Sequence, residues 1–168
     1  MPGHADWFNE VTWRQFLKLK PKRVFDVGIG WGQWAKFLKE KFPDIHIIGI
    51  EVFEPYITDE VKQYYDEIII NDVTKYEFQE KDRGDLIIFG DVLEHMELDE
   101  MMSLVKRAST FFQYMIVNTP YGYRPQGQED TGNIHEVHLI GVYEGHFSDY
   151  NIIEKTIQHN MNLLIKNW

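Results

Sequence analysis

The sequence predicts a single α/β domain whose core is a mostly parallel sheet with helices on both faces. Three observations carry that expectation. Short, continuously apolar runs recur along the chain, as strands buried on both faces require. Amphipathic stretches with helical spacing separate them, the alternation that builds a parallel sheet with crossover helices. The last two β-rich runs, 151–158 and 162–168, flank His159-Asn160, which reads as a tight turn, so they should close the sheet as an antiparallel hairpin. Seven strands are expected in all.

The elements follow in order. Phe8, Val11, Phe16 and Leu19 lie near helical spacing, and Pro21 stops that helix. Arg23 to Val27 is a short buried strand that turns at Gly28 into a helix from Gln33 to Phe42, with Trp34, Phe37, Leu38 and Phe42 on its apolar face. Pro43-Asp44 ends the helix, and Ile45 to Val52 is the second strand. Pro55 suits a first helical turn, and Ile57, Val61 and Tyr64 continue a helical face. Ile68-Ile69-Ile70 is the third strand and Asp85 to Gly90 the fourth. Leu98, Met101, Met102, Val105 and Ala108 mark a helix with acids at its start and Lys106 and Arg107 near its end, as the helix dipole prefers. Tyr114 to Val117 is the fifth strand, stopped by Pro120. A polar segment, Tyr121 to Glu136, follows, then a short helix around Val142 to Phe147 and the hairpin. The domain divides into an N-terminal helix (1–21), a core (22–119), a loop (120–138) and a closing helix and hairpin (139–168).

Composition bounds the function. With 168 residues, 43% of them hydrophobic and 15% aromatic, the chain can bury a core. No apolar run reaches the roughly 18 residues of a membrane span. Met1 to Asn9 lacks a basic segment followed by an apolar one, so a cytoplasmic location is expected. The absence of cysteine removes disulfides, thiolate metal sites and cysteine nucleophiles. A net charge of −10 disfavours a nucleic-acid partner, because affinity for phosphates needs cations. Lys18, Lys20, Lys22 and Arg23 cluster before the first strand, as a solvated helix end would. Oligomeric state is left open.

In a sheet of this kind, ligands bind beyond the carboxyl ends of the strands, where strand order reverses. Four stretches lie at such ends. The first is Asp26-Val27-Gly28-Ile29-Gly30-Trp31-Gly32, where glycines turn the chain sharply and bring bare backbone against a ligand. It suits a dinucleotide or S-adenosylmethionine. Its third glycine comes one residue earlier than in Gly-x-Gly-x-x-Gly, which weakens the dinucleotide reading. The second is Glu51, with Val52 and Phe53 after it. A carboxylate some twenty residues past the turn can accept from ribose hydroxyls, and Phe53 could cover an adenine or pack in the core. The third, Asn71-Asp72-Val73, can meet the adenine edge, although Asn-Asp is also ordinary turn chemistry. The fourth is Gly90-Asp91-Val92-Leu93-Glu94-His95.

Taken together and in this order, these stretches resemble the class I, Rossmann-like S-adenosylmethionine-dependent methyltransferases from about Val24 to Val117. The Val-Leu-Glu-His form is similar to that of enzymes that methylate O, N or C atoms of small molecules. The resemblance implies that Asp26, Gly28 and Gly30 hold the methionine part, Glu51 the ribose and Asp72 the adenine, with Gly32 of the same turn also counted among the cofactor-binding residues. It implies that Gly90 and Asp91 flank the sulfonium and the entry for substrate. The chain leaves little room for the extra helices or lid domain many relatives use. Two other readings stay open: a methyltransferase-like binding module without activity, and a nicotinamide-dependent oxidoreductase.

Methyl transfer needs alignment, exclusion of water and, for a protonated acceptor, a base. His95, His135 and His138 are the candidates, with fixing of the loop as their structural alternative. His135 and His138 with Glu94 or Glu136 could gather a metal, but no further ligand pattern supports one and none is expected. Tyr121 to Gln128 reads as a lid over a small-molecule or peptide substrate, with Tyr121 and Tyr123 as aromatic contacts and Arg124 as an anion holder.

Overall fold

The computed structural model describes residues 6–128 and 132–168, with side chains from Glu10 onward. Phe8 in the expected first helix, and positions 1–5 and 129–131, lie outside the described residues. The elements are α1 (Asp6–Leu19), β1 (Arg23–Val27), α2 (Gln33–Lys41), β2 (His46–Glu51), α3 (Asp59–Lys62), β3 (Glu67–Ile70), β4 (Gly84–Gly90), α4 (Leu98–Phe111), β5 (Phe112–Pro120), β6 (Ile152–Ile157) and β7 (Asn160–Lys166). The seven strands form one sheet in the order β3-β2-β1-β4-β5-β7-β6. The first five run parallel, and β7 pairs antiparallel with both β5 and β6.

Strand alternation splits the apolar side chains between two cores. Phe25, Val27, Ile48, Ile50, Ile87 and Phe89 face one that α4 closes with Met101, Leu104, Val105 and Ala108. Val24, Ile47, Leu86, Ile88 and Ile116 face the other, closed by Phe16 of α1, Trp34, Ala35 and Leu38 of α2, and Val61 of α3. Each of the valines, leucines, isoleucines, phenylalanines and methionines contributes about 1.5–3 kcal/mol when fully buried, so neither face of the sheet can be left bare. Between β3 and β4 the cover is aromatic rather than helical: Tyr76 and Phe78 are buried there, and the Tyr76 hydroxyl donates to buried Asp82 at 2.8 Å. No helix among the described residues is long and apolar enough to cross a membrane.

Three local expectations change. The helical face expected at Ile57, Val61 and Tyr64 breaks into a 3-10 turn, Glu54–Tyr56, and the short α3, because the Thr58 side chain accepts from Val61 N and restarts the helix. The fifth strand runs through Pro120 rather than stopping before it, since its last pairs, Thr119 with Met161 and Pro120 with Asn160, lie beyond the end of β4. Proline is tolerated at such an edge. The helix expected around Val142 is only a 3-10 turn at Glu144–Phe147; Val142 instead bridges to Tyr121 and Gly122.

A buried polar knot joins α1 to the sheet. Asn118 Nδ2 donates to Thr12 Oγ1 at 2.8 Å, and Gln15 Nε2 donates to Asn162 Oδ1 at 2.7 Å. Fully satisfied groups of this kind set one helix orientation, because any shift would leave buried donors unpaired.

Candidate functional site

Strand order reverses between β1 and β4, and a cleft of about 950 Å³ opens there, beyond the carboxyl ends of the parallel strands. One side is formed by strand ends and the other by the segment after β5.

The glycine turn leaves β1 with Gly28, Gly30 and Gly32 all at positive φ (67°, 48° and 71°). A Cβ on Gly28 would lie 2.3 Å from Val92 Cγ2, so the turn can pack against the fourth motif only as glycine. At Gly30 a Cβ would meet nothing nearer than Gly28 O at 4.0 Å. Gly30 lines the cleft, so a side chain there would occupy ligand space. Gly28 also lines it, whereas Gly32 caps α2 below.

Asp26 departs from the role its resemblance implies. It is 1% exposed and absent from the cleft lining; its Oδ2 accepts from the Tyr65 hydroxyl at 2.7 Å, and Oδ1 has no hydrogen-bond partner. Burial pushes its carboxyl up to about 7, against the pull of the Tyr65 bond and helped by the charge of Glu51. As the first strand is buried on both faces, its penultimate residue points into the interior and braces the turn from beneath.

Glu51 ends β2 facing the turn. Its Oε2 accepts from Gly30 N at 3.1 Å and its Oε1 from Phe53 N at 2.8 Å. Val52 lines the cleft, but Phe53 lies outside the lining, with its ring edge-on to Tyr56 at 4.9 Å. Asn71, Asp72 and Val73 line the next stretch. Asp72 accepts from Thr74 N and Oγ1 and pairs with Lys75 at 2.8 Å. Burial works against its ionisation, but the bonds from Lys75 and Thr74 outweigh that and hold its carboxyl below the ordinary range.

Gly90 and Asp91 line the cleft where β4 ends. Asp91 holds φ 51°, a conformation that aspartate tolerates better than most residues, while its N–H donates to Asn118 O at 2.8 Å. Glu94, expected only as a possible metal ligand beside His135 and His138, is a cleft residue as well. It is 1% exposed; Oε2 accepts from Thr119 Oγ1 at 2.9 Å, and Oε1 has no hydrogen-bond partner. Burial, then the nearby Asp91 carboxylate, holds its carboxyl well above the usual range. An acid between Leu93 and His95, in a stretch that must turn back into the core, was the available signal.

All three candidate histidines line the cleft, but the structure pairs them in a way their spacing did not suggest. His95 and His138 stack edge to face, with ring centroids 4.8 Å apart, while His135 is exposed. His95 Nδ1 lies 3.1 Å from Val137 O, and His138 Nδ1 lies 2.6 Å from Arg124 O. A carbonyl only accepts, so each Nδ1 carries the hydrogen and each Nε2 keeps a lone pair. Burial lowers the pKa of His95, opposed by its bond to Val137.

The segment after β5 is tied down at several points. Gln126 Nε2 donates to Glu136 O at 2.7 Å, His138 N to Gln126 O at 3.0 Å, and Leu139 N to Glu94 O at 2.8 Å. The Tyr56 hydroxyl donates to the Glu136 carboxylate, linking the segment after β2 to this one across the cleft. Of the expected substrate contacts, Arg124 lines the cleft, and its guanidinium donates to His159 O at 2.8 Å. Tyr121 and Tyr123 do not line it: Tyr121 packs on Tyr143, with centroids 5.7 Å apart, and Tyr123 is exposed. The bridges from Val142 turn this stretch away from the cleft mouth.

The model of the methyltransferase domain family matches residues 24–113, more than half of the chain. No curated protein matches the sequence. Among solved structures, an S-adenosylmethionine-dependent methyltransferase from Clostridium acetobutylicum ATCC 824 aligns with a TM-score of 0.71 at 11% identity, over 98% of this chain and 92% of that one. The N-terminal domain of EvdMO1 with SAH bound gives 0.69 at 16% identity, over 92% and 78%. Human N-acetylserotonin methyltransferase in complex with SAM gives 0.61 at 16% identity; 93% of this chain spans 51% of that one. At these identities the likeness is one of fold.

Proposed function

The chain belongs to the methyltransferase domain family, and from that premise we propose that it transfers a methyl group from S-adenosylmethionine to an O, N or C atom of a small molecule or exposed peptide group. The observation that carries this reading is the row of groups along one cleft: Gly28 and Gly30, Glu51, Asn71 and Asp72, then Gly90 and Asp91, at four successive strand ends.

The residues fit the donor part by part. The open backbone at Gly30 leaves room for the methionine portion. Each Glu51 oxygen accepts one backbone N–H and keeps a second lone pair for a ribose hydroxyl. Asn71 and Asp72 bound the adenine edge, and Asp91 lies where a positive sulfur is favoured. When bound, S-adenosylmethionine supplies a methyl group already activated by its positive sulfur. The protein's task is therefore to align the acceptor, exclude water and receive any proton that the acceptor loses. The Nε2 atoms of His95 and His138 and the exposed imidazole of His135 are the bases facing that space.

Calorimetry with S-adenosylmethionine, S-adenosylhomocysteine and NAD tests the reading. Both sulfur compounds should bind and NAD should not; tight NAD binding with neither sulfur compound bound would overturn it. Donor binding without turnover over a panel of hydroxyl, amine and carbon acids would reduce the chain to a binding module.

A further inference from the structure

We infer that Glu94, His95 and His138 form a binding site for a divalent transition-metal ion where the turn after β4 meets the segment after β5. One ligand-capable atom from each of the three lies within 4.8 Å of the others. Small side-chain rotations would bring them to the about 3–3.5 Å that separates neighbouring ligands around an ion with bonds near 2.0–2.1 Å.

Three features distinguish this cluster from a chance gathering of polar groups. Each imidazole gives its Nδ1–H to a backbone carbonyl, Val137 O for His95 and Arg124 O for His138, which orients the ring and leaves Nε2 as the donor atom. That arrangement is what metal-ligating histidines show around their outer nitrogen. Glu94 is held by Thr119 through Oε2, and its Oε1 has no hydrogen-bond partner although the residue is 1% exposed. A buried carboxylate oxygen without a donor is costly unless a cation or proton meets it. The cluster also borders the cleft, so an ion held by three protein ligands would keep positions open to it.

Two imidazoles and one carboxylate suit zinc, cobalt, iron or manganese better than magnesium, which prefers oxygen ligands. An acceptor hydroxyl on an open position would lose its proton more readily; with His95 and His138 engaged as ligands, that proton would pass to water or to the His135 imidazole that also lines the cleft. The site rests on geometry alone and stands whether or not methyl transfer is the reaction.

The test is direct binding of the metal alone. The full chain, stripped with chelator, is titrated calorimetrically with Zn²⁺ and Mg²⁺, and with Co²⁺ followed by its visible ligand-field bands. The expected result is one Zn²⁺ or Co²⁺ per chain, with Mg²⁺ roughly 100-fold weaker. His138→Ala and Glu94→Gln should each weaken Zn²⁺ at least about 10-fold and bleach the cobalt bands, whereas His135→Ala should change neither. Circular dichroism melts identify a variant that fails to fold, and the remaining one then decides the question. Absence of Zn²⁺ and Co²⁺ binding, equal affinity in folded His138→Ala or Glu94→Gln, or a loss confined to His135→Ala would overturn the site. Metal binding without S-adenosylhomocysteine binding would leave this inference standing and remove the functional one.

Discussion

The two sides of the cleft are built differently. The side proposed to take the donor consists of strand ends: Glu51 and Gly90 close, and Gly28 and Asn71 follow, strands that parallel pairing holds in register. The acceptor side is a connecting segment, positioned by contacts such as Gln126 with Glu136, His138 with Gln126 and Tyr56 with Glu136. A strand end cannot move without disturbing the sheet. A loop tied by separate hydrogen bonds can lose one and keep the others. The difference predicts that substitutions on the donor side cost stability and cofactor affinity together, whereas those on the acceptor side act locally.

The largest expected effect lies beneath the donor side, at Asp26. Burial raises its folded-state pKa to about 7, above the ordinary carboxyl value of 3.8, so the folded chain holds a proton that the unfolded chain releases. Stability from this group is therefore full below about pH 4 and falls as pH rises through about 7, by on the order of 4 kcal/mol. Asp26→Asn keeps an acceptor for Tyr65 and should remove that part of the slope in urea melts between pH 4 and 8. A slope identical to wild type would show that the carboxyl does not carry it.

Next in size is Gly28→Ala. A side chain at φ 67°, driven against Val92, should cost roughly 2–4 kcal/mol of stability and weaken S-adenosylhomocysteine. Unchanged affinity in a destabilised protein would separate the two properties that the donor side is said to couple. Glu51→Ala should weaken S-adenosylhomocysteine by roughly 1–3 kcal/mol, because the ribose hydroxyls lose their acceptor. Wild-type affinity would place the ribose elsewhere. The smallest effect belongs to the acceptor side. Tyr56→Phe removes one half-exposed bond to Glu136, worth about 1 kcal/mol. It should speed amide exchange across 133–138 while leaving exchange in β1 and β4 unchanged; slower closing of the whole domain would contradict a local tie.

Much of the donor side was legible because strand ends are periodic in sequence. An apolar run, a turn and a polar residue repeat four times, and parallel pairing turns that repeat into adjacency in space. Asp26 and Phe53 show the limit. Both sit within a recognisable motif, but one residue's step along β1 reverses the face it points to, so Asp26 went under the turn, and the 3-10 turn that follows β2 set Phe53 against Tyr56. The acceptor side was legible only as a list of residue types. Spacing suggested His135 with His138, whereas the fold brings His95 to His138.

The sequence by itself determined the α/β class, the antiparallel close of the sheet and the row of strand-end positions that line the cleft, since these follow from hydrophobic period and turn chemistry within a few residues. Only the tertiary structure decided that Glu94, His95 and His138 meet, that Tyr121 and Tyr123 turn away, and that Tyr56 reaches Glu136. Those outcomes depend on how a long connection lies across the sheet. Hydrogen bonds between residues as far as 80 apart in the chain set its path, and no local pattern encodes them.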